Sequence, residues 1–125
     1  LTGACVVALG EQVAGLFSND EKLRKQIEAA AKAEGELVWP MPLVEEYKEL
    51  IKSNVAQIQN IGKTRWGGAI TAALFLQEFV PDDTPWVHLD IAGPAFEEKG
   101  NVISYIPLGG TGFGVRTLLR FLTEK

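Results

Sequence analysis

One cysteine, one histidine and one methionine occur among the 125 residues, and each scarcity excludes something. Cys5 cannot form a disulfide within the chain, and nothing in the cysteine usage suggests an oxidising compartment. A lone His88 and a lone Cys5, far apart, do not make the clustered ligand set of a zinc site. Basic clusters are missing too. The densest spot, Lys22, Arg24 and Lys25, is interleaved with acids, and the formal net charge is −4. Phosphate-backbone binding needs a basic face, so nucleic acid is not an expected partner. No apolar run reaches the ~18 residues of a membrane span, so none is expected. Residues 1–10 lack the basic flank of a secretory leader, and the expected location is cytoplasmic. The chain has no initiator methionine, from which we expect a trimmed start or a piece of something longer. There is no Gly-x-Ser-x-Gly elbow and no P-loop ending in Gly-Lys-Ser/Thr.

What is present reads as a globular chain, 46% hydrophobic and 22% charged. Ala4–Leu9 is a continuous small-apolar run and predicts a strand buried on both faces, as in mostly parallel sheets. Val13–Phe17 is a second short apolar run. Ser18-Asn19-Asp20-Glu21 fits the Ser-x-x-Glu capping box, with Ser18 as the N-cap. Leu23, Ile27, Ala30 and Ala31 then form the stripe of a helix that Gly35 is suited to end. The prolines at 40 and 42 impose an extended stretch. Val44, Tyr47, Leu50 and Ile51 mark a shorter amphipathic helix, and the alternation over Val55–Ile61 suggests a strand or extended segment. Gly67–Val80 is apolar nearly all round and predicts a buried helix, with Thr64 as a candidate cap. Trp86–Ala92 reads as a strand with Trp86, His88 and Asp90 on one side. Phe96–Ser104 is loop-like, Gly109–Gly114 is glycine-rich, and Val115, Leu118, Leu119 and Leu122 form the stripe of a last helix.

This order argues α/β, with about three strands and four helices in one unit over residues 1–125. So few strands, and so apolar a central helix, imply a partial three-layer α/β/α sandwich with some of its sheet and cover missing. The polar residues offer several chemistries. His88 and Asp90 share a strand face and could be ligands, an oriented base, or a satisfied polar pair. Cys5, inside an apolar run, is expected to stay protonated and inert. Ser18, Ser53 and Ser104 have no context that would pair them with His88 as a nucleophile. Gly109–Gly114 could cradle a phosphate or carboxylate at a helix start, or could be a tight turn, with Arg116 solvated or ion-paired. Lys63–Gly68 could bind an anion or simply cap the buried helix. Trp39, Trp66 and Trp86 read as core or subunit interface.

Six stretches, in order along the chain, resemble the C-terminal end of the leucyl aminopeptidase family of cytosolic two-metal exopeptidases. They are Leu1-Thr2-Gly3-Ala4, Val38-Trp39-Pro40-Met41-Pro42-Leu43, Asn60-Ile61-Gly62-Lys63, residues 67–76, residues 88–95 (His-Leu-Asp-Ile-Ala-Gly-Pro-Ala) and residues 110–116 (Gly-Thr-Gly-Phe-Gly-Val-Arg). The resemblance implies the C-terminal portion of a zinc-exopeptidase-like catalytic domain that removes N-terminal residues from peptides. It implies two divalent ions, zinc or manganese, which activate a water and polarise the scissile carbonyl. The family's arginine lies in an Asn-Thr-Asp-Ala-Glu-Gly-Arg motif that also supplies metal carboxylates, and the remaining ligands and its lysine lie further upstream. That motif is not in this sequence; Ala33-Glu34-Gly35-Glu36 lacks its Asp and Arg. No metal ligand and no catalytic residue is therefore expected here, and the isolated chain is expected to be inactive. By resemblance, Leu1 offers a carbonyl and Gly3 an N–H to the peptide, while Ile61, Ala92 and Ala95 line the pocket for the first side chain. The family also implies a hexamer, with Trp66 and the 96–104 loop as candidate contacts, and dependence on the upstream part of the same polypeptide. Two rival readings remain: an anion- or nucleotide-binding module through Gly109–Gly114, and a non-catalytic scaffold.

Overall fold

The computed structural model describes residues 3–98, 106 and 108–124. Its centre is β1 (Ala14–Ser18), flanked by β2 (Val38–Pro40) in parallel and β3 (Val87–Asp90) in antiparallel register. Leu16 faces Pro40 on one side and Leu89 on the other. Ala14, Leu16 and Phe17 are wholly buried. Successive strand residues point to opposite faces, so both faces of this strand are covered.

Three helices and a short coil of 3-10 geometry supply the cover. On one side α1 (Ala4–Leu9) and α3 (Gly68–Gln77) enclose a cluster of Cys5, Phe17, Ala69 and Ala73. On the other, α2 (Glu21–Glu34) buries Ile27, Ala30 and Ala31 and contacts β1 and β2. The 3-10 helix Glu45–Ile51 packs on α3. A two-stranded ribbon of β4 (Phe96–Glu97) and β5 (Gly109–Gly110) follows β3, and α4 (Val115–Thr123) lies on α2. Arg120 Nε, 2.5 Å from Glu34 Oε1, ties the two helices together. The expected α/β class and partial layered sandwich are what the chain forms.

Several local expectations fail for physical reasons. Ala4–Leu9 is a helix and not a strand. A short apolar run is compatible with either state; only Cys5 is buried in it, and Val7 is 90% exposed. The strand buried on both faces is the next run, Ala14–Ser18. Ser18 does not cap α2, because it is still paired with Val87 in the sheet. Its hydroxyl donates to Trp86 O at 2.6 Å and accepts from Asp20 N at 3.0 Å. Asp20 is the cap instead, its Oδ1 accepting from Leu23 N at 2.6 Å, a contact of about 1 kcal/mol in such positions. Gly35 ends α2 in the left-handed region, φ 70°, as its position suggested. Residues 55–61 form no strand. Ser53 Oγ accepts from Val55 N and Ala56 N and turns the chain, leaving only an isolated bridge between Lys52 and Ile58. Thr64 does not cap α3; that place belongs to Gly67. Most of the 96–104 loop lies outside the described residues.

Candidate functional site

The C-terminal end of β3 gathers the polar groups. His88 stands opposite Phe17, and its ring stacks on Phe17 and Trp86 at centroid distances of 5.7 and 6.1 Å. Burial lowers its pKa below the ordinary histidine value, and the Asp90 carboxyl opposes that shift more weakly. Of the alternatives open for His88, the arrangement is that of an aromatic core residue.

Asp90 is 4% exposed and pairs with Gly15 across the sheet. A Cβ on Gly15 would stand 2.7 Å from Cys5 Sγ, so the thiol of α1 lies directly on β1 at this point. Burial first, and then the adjacent Asp90 carboxyl, push the Cys5 thiol up to about 12. The expectation of a protonated, unreactive thiol follows from helix packing rather than from a strand. Asp90 Oδ1 accepts from Ala92 N at 3.1 Å. Its Oδ2 is buried and has no N–H or O–H donor among the described residues; the group beside the carboxyl is the Cys5 thiol.

The turn after β3, residues 91–95, is pinned at both ends. Ala95 N–H donates to Ile91 O at 3.0 Å, and Thr111 N–H donates to Ala95 O at 3.0 Å. Thr111 Oγ1 donates to Pro94 O at 2.6 Å. Gly93 lies against the end of α1, where an added Cβ would come within 2.8 Å of Gly10 O. Both ends of α1 therefore meet this region: Cys5 beside Asp90, and Gly10–Glu11 behind Gly93.

Of the residues expected to touch a substrate, Leu1 lies outside the described residues. Gly3 is exposed at the start of α1, where its carbonyl accepts from Val6 N and Val7 N. Ala92 is exposed and Ala95 half-buried on the pinned turn. Ile61 is 68% exposed on the separate loop before α3. The structure joins Gly3 to the 92–95 turn through α1 and Asp90; Ile61 lies next to Gly62, which packs near Thr71 of α3.

One of the two candidate anion sites is already filled. At the start of α4, the Glu36 carboxylate, 5% exposed, accepts from Gly114 N at 3.0 Å, Thr117 N at 3.1 Å and Thr117 Oγ1 at 2.5 Å. Arg116 Nε lies 3.6 Å from the same group. A phosphate at Gly109–Gly114 would have to displace a buried carboxylate that already complements the helix start. At the start of α3, the Tyr47 ring covers Gly67. Glu36 and Thr117 carried no signal in the sequence, since their partnership spans 81 residues.

Among the described residues, no three His, Cys, Asp or Glu side chains converge on a point that could hold a metal ion. His88 and Asp90 have no third ligand, one being packed between rings and the other turned toward Cys5 and Ala92. The residues described do not fit a metal centre.

The described residues thus present a layered α/β unit with a pinned turn and a helix start capped by a buried carboxylate. Residues 1–119 match the model of the cytosol aminopeptidase family, catalytic domain, and the chain belongs to that family. A probable cytosol aminopeptidase of Gloeobacter violaceus is 58% identical over the whole chain, and one of Persephonella marina 56%. The chain spans 24% and 25% of these relatives, about a quarter of their length. A tomato leucine aminopeptidase mutant superposes with a TM-score of 0.88 at 43% identity, over 100% of this chain and 23% of its own. The bottromycin maturation enzyme BotP in complex with Mn gives 0.91 at 43%, over 98% of this chain and 26% of its own.

Proposed function

We propose that this chain is the C-terminal part of a metal-dependent leucyl-type aminopeptidase and supplies the substrate-side wall of its active site. Leu1 and Gly3 present backbone groups to the peptide, and Ile61, Ala92 and Ala95 form the apolar seat for its first side chain. Two divalent ions, zinc or manganese, are held by residues elsewhere in the polypeptide, as are the catalytic lysine and arginine. The complete protein acts in the cytoplasm and assembles as a hexamer, with the exposed Trp66 a candidate contact.

The observation that carries this reading is end-to-end likeness to cytosol aminopeptidases four times as long. The manganese named with BotP fits the ion pair proposed. The nucleotide-module alternative is disfavoured by Glu36, which fills the helix start that such a module needs.

The test is a hybrid: residues 1–125 replace the matching quarter of the Gloeobacter violaceus relative. We expect manganese- or zinc-dependent release of leucine from a leucyl peptide by the hybrid, and none from the 125-residue chain alone. A folded hybrid that binds metal yet releases no leucine would favour the scaffold reading. Turnover by the isolated chain would place the chemistry here and refute the proposal.

A further inference from the structure

A buried carboxylate oxygen with no donor is rare, because desolvating it without a partner is costly. Asp90 Oδ2 has no N–H or O–H donor among the described residues, only the weakly donating Cys5 thiol beside the carboxyl. Its sister oxygen holds Ala92 N–H, the first amide of the turn that carries Ala92 and Ala95. Its neighbour Cys5 lies two residues past Gly3 in the sequence, and the thiol is close enough to feel the carboxyl. Asp90 thus stands between the two backbone segments assigned to the substrate. Thr111 fixes the far end of the same turn through Pro94 O and Ala95 O.

We propose that Asp90 is a positioning residue for the pocket, setting the height of the 92–95 turn against the start of α1. This rests on the aminopeptidase reading above. Oδ1 defines where the turn begins. Oδ2 keeps the carboxyl from rotating toward solvent by accepting a donor, a buried water or a group of the complete polypeptide, beside the Cys5 thiol. The turn's position then governs the room for the first side chain of the peptide, not the chemical step.

Asp90→Asn preserves shape but sets an NH2 group against either the Ala92 N–H or the Oδ2 donor. In the hybrid we expect D90N to raise KM for a leucyl peptide roughly tenfold, the size of one charged hydrogen bond lost, with a smaller change in kcat. The leucyl-to-alanyl preference should fall in parallel. Thr111→Val loosens the same turn from its other end and should shift the preference in the same direction, whereas Cys5→Ser, which keeps a donor beside the carboxyl, should leave it near that of the unsubstituted hybrid. Amide exchange of the 91–98 peptide, read by mass spectrometry, needs no turnover and should quicken roughly tenfold in D90N. An inactive unsubstituted hybrid would defeat the aminopeptidase reading and leave the exchange measurement to decide Asp90. Unchanged exchange at 91–98 overturns the proposal, and so does a D90N hybrid that loses kcat while keeping KM and preference.

Discussion

Replacing Glu36 by alanine is the sharpest test of how this chain is held together. Its carboxylate is the buried cap of α4, taking two backbone N–H groups and one hydroxyl that have no other partner among the hydrogen bonds described. Removing one partner of a buried, charge-assisted hydrogen bond costs about 1.5–3 kcal/mol. The three bonds share one acceptor group and do not add, so about 3 kcal/mol is expected for the whole cap. That energy acts on the docking of α4, not on the central sheet. Since 1.4 kcal/mol is tenfold, amide exchange over residues 112–124 should quicken on the order of a hundredfold. Exchange over residues 14–18 should hardly change. Arg116→Ala serves as the control. Its side chain is 52% exposed and 3.6 Å from the carboxylate, so it should cost about 0.5 kcal/mol or less. If E36A leaves 112–124 unaltered, or if R116A matches it, the cap does not hold α4 and the reasoning fails.

Gly67 has φ 65°, and a Cβ there would come 2.8 Å from Tyr47 Cε2; Gly67→Ala should therefore destabilise by about 1–3 kcal/mol in denaturant titration. Gly15→Ala meets Cys5 Sγ at 2.7 Å, so its cost should be of similar size and should shrink in a Cys5→Ala background, a coupling of about 1 kcal/mol in a double-mutant cycle. The Cys5 thiol holds its proton more tightly in the folded state, about 12 against an ordinary 9.0. Its contribution to stability is thus complete below about pH 9 and is lost as pH rises toward 12. At pH 8, iodoacetamide should modify Cys5 only as fast as the chain opens, and rapid labelling of the native protein would contradict the burial of α1.

The parts of the fold that could be read from the sequence are those where local pattern and tertiary environment agree. The stripe of Leu23, Ile27, Ala30 and Ala31, closed by Gly35, gave α2 to within a residue or two. Val115, Leu118, Leu119 and Leu122 gave α4 in the same way, although Thr117 and not the stripe turned out to be its buried residue. Ala4–Leu9 and Ala14–Ser18 could not be told apart by pattern. Both are short, mostly apolar runs, and only the neighbours decide which is wrapped by two layers. Ser18 satisfied the capping-box spacing, yet the strand had a prior use for its backbone, and Asp20 took the cap. At the site, His88 and Asp90 stood out as a same-face pair, but their separate roles depend on Phe17, Trp86 and Cys5, which pattern alone does not bring near. Glu36 was beyond reach altogether. The resemblance named Leu1, Gly3, Ile61, Ala92 and Ala95; of these the structure links Gly3 with the 92–95 turn, through α1, Gly93 and one carboxyl, and leaves Ile61 on a separate loop.

The two carboxylates buried among the described residues are both held in structural contacts. A catalytic carboxylate needs an oxygen free to meet a metal, a water or a substrate proton. Glu36 has spent both oxygens on Gly114 and Thr117. Asp90 has spent one on Ala92, and the other is shut inside against a protonated thiol. Each anchors a loop or helix start whose backbone would otherwise be loosely held. Buried carboxylates used in this way fix geometry at the expense of reactivity, as a pocket wall requires. On the proposed function, reactive groups come to that wall from elsewhere in the polypeptide, and the exposed Gly3 and Ala92 are where a peptide would meet it.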